Sequence, residues 1–139
     1  MVIVVTEIKD IQQFVCVSKQ IFKDGFQYNY YKDEESLENF FSSNNPFWQH
    51  AEYQLFIAEQ DNQPVGRIAV IVDSSYNRYY KQKTAFFGFF EVNNNFVVTK
   101  LLFREATKYL QNKKIKKLLG PIDGNMFNNV GLLQNNFSL

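Results

Sequence analysis

The sequence predicts one domain of the α/β (α+β) class, with a mixed, mostly antiparallel sheet flanked by helices, over residues 1–139. Two strand-like runs, residues 53–59 and 64–73, flank a short polar turn and predict a β-hairpin. Residues 84–92 are apolar on both faces, which is typical of a central strand covered on both sides. An apolar stripe at helical spacing then runs to about residue 112. A three-strand meander followed by a crossover helix suits a mixed sheet.

The elements before the hairpin follow from apolar spacing and helix-start signals. A β-branched run at residues 2–5 predicts the first strand. Apolar side chains then recur at near-helical spacing, which predicts one helix over residues 8–22. Asp33 is an expected N-cap for a short acidic helix that ends near residue 41.

The elements after the hairpin are separated by polar segments. Residues 74–83 are rich in Tyr, Ser and Lys and predict a loop. Residues 118–119 predict a short strand that Gly120-Pro121 closes, and residues 128–134 predict one more short helix.

Composition and charge argue against several classes of protein. The net charge of +1 argues against a general nucleic-acid binder, which carries a clear basic surplus. No stretch approaches the ~20 apolar residues of a membrane span. The single cysteine, Cys16, excludes an intrachain disulfide and favours a cytoplasmic setting. Aromatic residues make up 17% of the chain, which demands a sizeable core or a partner surface.

An ordered string of short motifs carries a family resemblance. It comprises Asn45-Pro46-Phe47-Trp48, the strand at residues 55–59, Val65-Gly66-Arg67, Phe87-Gly88-Phe89-Phe90-Glu91 and Gly120-Pro121. The string resembles a bacterial subgroup of the GNAT (N-acetyltransferase) superfamily and covers about two thirds of the chain. It looks like the N-terminal part of a longer protein. The resemblance therefore implies a GNAT-like fold that lacks the C-terminal strands of a full domain.

The resemblance also implies an activity and a site. It implies an acyl-CoA-dependent N-acyltransferase that uses acetyl-CoA or another acyl-CoA, needs no metal, and acts on a small-molecule or peptide amine. Glu91 ends the central strand, where GNAT enzymes place a general base. The loop that would hold the CoA pyrophosphate consists of Val92, Asn93, Asn94, Asn95, Phe96 and Val97.

Two departures from the GNAT pattern bear on catalysis. The pyrophosphate loop of GNAT enzymes contains glycines, whereas residues 92–97 contain none. GNAT enzymes often use a late tyrosine as general acid, and no tyrosine follows Tyr109 here.

Three further residues are candidates by their own chemistry. Arg67 is the only charge within an apolar strand, so it contacts substrate or phosphate, or pairs with Glu52 or Glu59 across the hairpin. Tyr76 lies among basic residues and either lines a substrate mouth or packs over the sheet. His50, the only imidazole, is a proton shuttle or an ordinary loop histidine.

The alternative function is a non-catalytic GNAT-like remnant or interaction module with weak or no CoA binding. A shortened sheet would leave the edge of the fifth strand open. Together with the excess of aromatic residues, that edge predicts a homodimer.

Overall fold

The computed structural model describes residues 2–21, 34–124 and 131. Five strands form one mixed sheet in the order β1-β2-β3-β4-β5, in which β4 and β5 are parallel and the other neighbours antiparallel. The prediction of an α+β domain with a mostly antiparallel sheet is confirmed. The elements are β1 (Ile3–Ile8), α1 (Ile11–Val15), α2 (Val17–Ile21), α3 (Glu34–Phe40), a 3-10 turn (Pro46–Gln49), β2 (Ala51–Gln60), β3 (Gln63–Asp73), α4 (Ser74–Tyr80), β4 (Thr84–Val92), α5 (Phe96–Asn112) and β5 (Lys117–Leu119).

The predicted helix over residues 8–22 is wrong in its extent. Strand β1 continues to Ile8, where the backbone pairs with Leu55 of β2, so the helix starts only at Ile11. The Asp10 side chain caps it by accepting hydrogen bonds from the N–H groups of Gln12 and Gln13. The helical segment is also split at Cys16 into α1 and α2.

The loop predicted over residues 74–83 is also wrong, because α4 occupies most of it. The Asp73 carboxylate accepts hydrogen bonds from the N–H groups of Ser75 and Tyr76 and so begins the helix. Lys81, in the left-handed conformation, ends it. Asp33 and the helix expected at residues 128–134 lie outside the described residues, apart from Gly131.

The central elements agree with the sequence. The β2–β3 hairpin turns at Asp61 and Asn62, both of which have positive φ, as a tight hairpin turn requires. Strand β4 and helix α5 have the expected bounds. No helix among residues 2–21 and 34–124 is long and apolar enough to cross a membrane.

The sheet separates two different cores. On one face α5 packs aliphatic side chains against the strands, with Val98, Leu102 and Ala106 fully buried. The other face is covered by α1, α2 and α3 and carries a cluster of rings that includes Phe14, Phe41 and Trp48. Both faces of β4 are thus covered, as the sequence predicts for a central strand.

A bulge divides β4 into two halves. The first half pairs with β5, from Thr84 opposite Lys117 to Phe86 opposite Leu119. At Phe89 the backbone has φ of 51°, and the register with β3 shifts between Arg67 and Ala69. Past this point β5 no longer pairs with β4, and among the described residues no strand pairs with that edge of the second half of β4, which leads to the start of α5.

Candidate functional site

Glu91 lies in the second half of β4, beneath α2. The residue is only 5% exposed. The Ser18 hydroxyl on α2 donates a hydrogen bond to Oε2, and Nη2 of Arg67 lies 3.2 Å from Oε1. Glu91 and Arg67 therefore form one buried ion pair between β4 and β3, although the sequence pattern indicated them as two separate candidates.

Arg67 is the centre of this buried network. Its side chain is 2% exposed and also donates hydrogen bonds to the carbonyl oxygens of Phe14 (3.0 Å) and Phe89 (3.0 Å). A further contact of 3.4 Å reaches the Val15 carbonyl. Phe14 and Val15 lie just before the break between α1 and α2, so the guanidinium binds carbonyl groups at the end of a short helix.

Arg67 is therefore part of an ion pair, which is one of its two predicted roles, but its partner is neither Glu52 nor Glu59. Glu52 and Glu59 of β2 lie opposite Val72 and Pro64 in the sheet, whereas Arg67 lies opposite Ile57. Glu52 instead pairs with Lys113 at 2.9 Å. The carboxylate that reaches Arg67 comes from the other neighbouring strand, because the bulge brings Glu91 into register with it.

Burial changes the pKa of the Glu91 carboxyl group. Loss of water raises the pKa of this carboxyl group above its ordinary value. Arg67 and the Ser18 hydroxyl oppose that shift, and the nearby Asp123 carboxylate adds to it. A raised pKa makes a carboxylate more basic, which favours a role as general base.

The bulge of β4 brings Asp123 to this place. Asp123 Oδ1 accepts a hydrogen bond of 2.7 Å from the Phe89 N–H. Gly88 permits the approach, because a Cβ there would lie 2.3 Å from the Ile122 carbonyl oxygen and 2.8 Å from Asp123 Oδ1. A bulky residue with positive φ costs about 1–2 kcal/mol, and such strain is characteristic of functional sites.

Sequence reasoning missed Ser18 and Asp123. Ser18 stands in an apolar helical pattern with nothing to mark it. Asp123 had a visible signal, because it follows the Gly120-Pro121 motif by two residues and this segment leads away from a parallel strand. Polar residues at the carboxyl ends of such strands are common site residues.

The predicted cofactor loop, residues 92–97, joins the second half of β4 to α5. The Asn95 side chain caps the helix by accepting from the Val97 N–H at 3.0 Å. The N–H groups of Asn94 and Phe96 have no acceptor among the described residues. Asn93 Oδ1 is buried and likewise has no hydrogen-bond partner there. The two N–H groups, with the positive end of the helix dipole, are the kind of donors that bind anions, whereas Asn93 Oδ1 is an acceptor and does not contribute to such binding.

Two candidates lie elsewhere. Tyr76 on α4 packs against Phe86, in the first half of β4 and about 17 Å along the strand from Glu91. His50 Nδ1 lies 2.8 Å from Asp73 Oδ1 at the far end of β3, about 20 Å along that strand from Arg67. The structure therefore joins Glu91, Arg67 and the 92–97 loop and leaves Tyr76 and His50 at the opposite end of the sheet.

Sequence comparison finds two bacterial relatives. Protein YghO of Escherichia coli (strain K12) is 30% identical over 96 residues, which are 69% of this chain and 25% of YghO. A bacterial ceramide synthase of Caulobacter vibrioides is 32% identical over 90 residues, 64% of this chain and 23% of the synthase. The matched residues thus span about a quarter of the length of each relative. No family model matches the chain.

Structure comparison finds acetyltransferases. An aminoglycoside acetyltransferase from an uncultured soil metagenomic sample, solved with sisomicin, superposes with a TM-score of 0.59 at 19% identity, over 87% of this chain and 78% of the enzyme. A GNAT-family acetyltransferase of Staphylococcus aureus gives 0.56 at 18% identity, over 88% and 76%. The PaiA N-acetyltransferase of Thermoplasma acidophilum, solved with coenzyme A, gives 0.51 at 15% identity, over 83% and 76%. The chain has the fold of the GNAT acetyltransferases.

Proposed function

We propose that the protein is an N-acyltransferase that moves an acyl group from acyl-CoA to an amine. The main support for the proposal is the arrangement of groups in the second half of β4. Within a GNAT fold, this half joins a buried carboxylate and a strained bulge to the N-terminus of a 17-residue helix. Anion-binding donors at one end and a carboxylate at the other suit a phosphate-bearing thioester and an amine.

Residues 92–97 are the proposed binding site for the CoA pyrophosphate. The N–H groups of Asn94 and Phe96, together with the helix dipole of α5, would face the anion. Asparagine replaces the usual glycine in this loop, and it tolerates turn conformations better than most residues. Two of the solved neighbours hold coenzyme A or acetyl-CoA, which supports the same ligand here.

We propose a fatty acyl group and a long-chain amino alcohol as the reactants. The support is the relative named a ceramide synthase, since a ceramide is the amide of such an amine. Two apolar side chains at the start of α5, Phe96 (74% exposed) and Val97, offer surface for a hydrocarbon chain beside the proposed CoA site. The aminoglycoside enzyme is more distant in sequence and makes sugar amines the rival class.

The proposed reaction needs no covalent enzyme intermediate. The ammonium form of the acceptor loses a proton, and the free amine attacks the thioester carbonyl. The carbon–sulfur bond then breaks, the amide forms, and the CoA thiolate takes up the second proton of the nitrogen. Glu91 is the candidate base, with Arg67 and Ser18 holding its carboxylate in place. Because Glu91 is buried, the proton has to reach it through a neighbouring group or a water molecule.

The burial of Glu91 also favours a second candidate, a non-catalytic module that keeps the fold and binds a partner. In that case the glycine-free loop would bind CoA weakly or not at all, and the protein would pair as a homodimer. Sedimentation at micromolar concentration tests the dimer, and a clean monomer would exclude it.

For the enzyme we propose the cytoplasm as the site of action, because acyl-CoA is supplied there.

An assay of CoA release decides between the two candidates. Acetyl-CoA and palmitoyl-CoA serve as donors, and sphinganine and sisomicin as acceptors, with reactions lacking acceptor as controls. The enzyme proposal expects amine-dependent CoA release, fastest with palmitoyl-CoA and sphinganine. Release that does not depend on any amine, or no release at all, would favour the non-catalytic module.

A further inference from the structure

We propose that the outer side of α5 docks on an anionic membrane surface, with Phe96 and Val97 inserted among the lipid chains. The docking surface consists of these two residues with Lys100, Arg104 and Lys108. Docking of this kind needs no membrane-spanning helix. The choice of a lipid surface rests in part on the proposed acyltransferase function, whose substrates the surface would supply.

Helix α5 has a buried side and an outer side. Val98 and Leu102, four residues apart, are fully buried against the strands. Lys100, Arg104 and Lys108 are also spaced by four residues, so they share one side of the helix, and all three are exposed. Lys100 follows Val98 by two residues, roughly 200° around the helix axis. The three cations therefore form a row about 12 Å long on the side of α5 that faces away from the sheet.

The first turn of α5 adds exposed apolar side chains to this row. Phe96 is 74% exposed and Val97 is 51% exposed. They stand at the end of α5 that belongs to the proposed CoA loop. An aromatic ring exposed to this extent gains free energy when it leaves water for an apolar phase. Phe96 and Val97 are thus the part of the surface that would enter the bilayer.

Charge is divided unevenly along the chain. Residues 96–117 contain seven Lys or Arg and a single acid, Glu105. The whole chain has 15 Lys or Arg and 14 Asp or Glu, so the other residues hold eight and 13. Glu105 Oε1 lies 3.3 Å from Lys108 Nζ and 3.9 Å from Arg104 Nε, whereas Lys100 has no ion-pair partner within residues 2–21 and 34–124. Positive charge on an exposed helix, beside apolar side chains, complements anionic lipid headgroups.

The proposed substrates also reside in a bilayer. Each CH₂ group that enters the hydrocarbon phase strengthens partition about fourfold, so palmitoyl-CoA and a long-chain amino alcohol both collect at a membrane. An enzyme that takes both reactants from the bilayer needs its CoA site at the membrane surface. Helix α5 meets this need, because its apolar first turn lies within the 92–97 loop.

Helix α4 carries a rival surface of rings and cations. Tyr79 is 79% exposed, and Lys81 and Lys83 are exposed as well. Tyr76 of the same helix packs against Phe86, which places α4 at the opposite end of the sheet from the proposed CoA loop. Lipids bound at α4 would be delivered far from the reaction, so α4 serves as the matched control for α5.

The test measures flotation of the chain with lipid vesicles. Vesicles made of equal parts of phosphatidylcholine and phosphatidylglycerol are compared with vesicles of phosphatidylcholine alone. We expect saturable binding to the anionic vesicles and much weaker binding to the neutral ones. Binding should weaken as salt rises, because salt screens charges at a surface.

Two double variants test the row of cations. Each Lys or Arg near an anionic surface strengthens binding about fivefold, so Lys100→Gln with Arg104→Gln should weaken vesicle binding about 10- to 30-fold. Lys81→Gln with Lys83→Gln makes the same change of charge on and after α4 and should bind like the wild type. The melting temperature and the affinity for acetyl-CoA should stay the same in the Lys100 and Arg104 variant, which shows that only the docking surface has changed.

Two single variants test the apolar tip. Phe96→Ser should weaken binding to anionic vesicles about 10-fold, because the ring no longer enters the bilayer. Tyr79→Ser removes an equally exposed ring from α4 and should bind like the wild type.

The possible outcomes separate the docking surface from the acyltransferase. No flotation with anionic vesicles, or a loss in the α4 variants equal to that in the α5 variants, would overturn docking through α5. Retention on single-stranded DNA without vesicle binding would also overturn it, in favour of nucleic acid as the ligand of this surface. CoA release with detergent-dispersed palmitoyl-CoA and sphinganine, in a protein that binds no vesicles, would overturn the docking surface alone. Vesicle binding with the expected losses in the α5 variants, but with no CoA release, would support the surface and overturn the acyltransferase.

Discussion

The two faces of the sheet are stabilised by different means. The α5 face is an aliphatic core in which Val98, Leu102 and Ala106 close against the strands. The opposite face mixes aromatic rings with the buried pair of Arg67 and Glu91. Aliphatic burial stabilises without directional demands, whereas a buried ion pair must recover the cost of losing water through well-placed hydrogen bonds. The second face therefore holds groups that stability alone does not require, which is where a functional site is expected.

The largest effect is expected when the ion pair is broken. Arg67→Met leaves Glu91 buried without its counter-ion and removes the donors to Phe14 and Phe89. We expect the free energy of unfolding in urea to fall by about 3–5 kcal/mol. The control Arg104→Met, at an exposed position on α5, should change it by less than about 0.5 kcal/mol.

A double variant sharpens this prediction. Arg67→Met combined with Glu91→Leu removes both charges, and most of the lost stability should return. A double variant as unstable as the single one would show that the hydrogen bonds of Arg67, not its charge, stabilise this face.

The α5 face should respond to lost volume alone. Leu102→Ala removes a fully buried side chain, and we expect a loss of about 2–5 kcal/mol in urea unfolding. Val97→Ala, at an exposed position on the same helix, is the matched control and should cost less than about 0.5 kcal/mol. A small effect at Leu102 would mean that α5 is not packed as the structure shows.

A methyl group added at the β4 bulge should lower the free energy of unfolding by less than the two changes above. In Gly88→Ala the new methyl group would collide with the Ile122 backbone, which cannot move as easily as a side-chain end. We expect a loss of about 1–3 kcal/mol. In Gly66→Ala on the α5 face, the new methyl group would meet side-chain carbons of Val98 and Leu102 at 2.9 and 3.0 Å and the Glu91 carbonyl oxygen at 3.3 Å. It should cost less than Gly88→Ala, because its backbone contact is 3.3 Å rather than 2.3 Å. The opposite order in thermal unfolding would contradict the close approach at Gly88.

The smallest predicted effect concerns pH. Burial raises the pKa of Glu91, so the folded protein keeps this proton to a higher pH than the unfolded chain does. In the window between the ordinary pKa of 4.5 and the raised one, the contribution of Glu91 to stability is lost as pH rises. Glu91→Gln has no such group, so the melting temperature of the wild type should fall relative to the variant across that window. A difference that is constant with pH, or grows in favour of the wild type, would contradict the raised pKa.

The sequence predicted the α5 face well and the other face only in part. Strand β4 and helix α5 follow from local apolar patterns, which were sufficient to place both elements. The partner of Arg67 depends on a bulge at Phe89 that shifts the register of two strands, and no local pattern reports a shift of that kind. Ser18 and Asp123 belong to the same site, although they are separated from Glu91 by 73 and 32 positions in the chain. Helix α4 had a visible cap in Asp73, but its tyrosines lack the apolar spacing that predicts a helix.

Titration calorimetry with palmitoyl-CoA and acetyl-CoA tests the central claim most directly, with desulfo-CoA as a competitor. The wild type should bind saturably. Asn94→Pro, which removes one N–H at the start of α5, should bind more weakly, while Asn94→Ala keeps that N–H and should bind like the wild type. No heat and no thermal shift with either thioester would contradict an acyl-CoA site at this helix and favour the non-catalytic module.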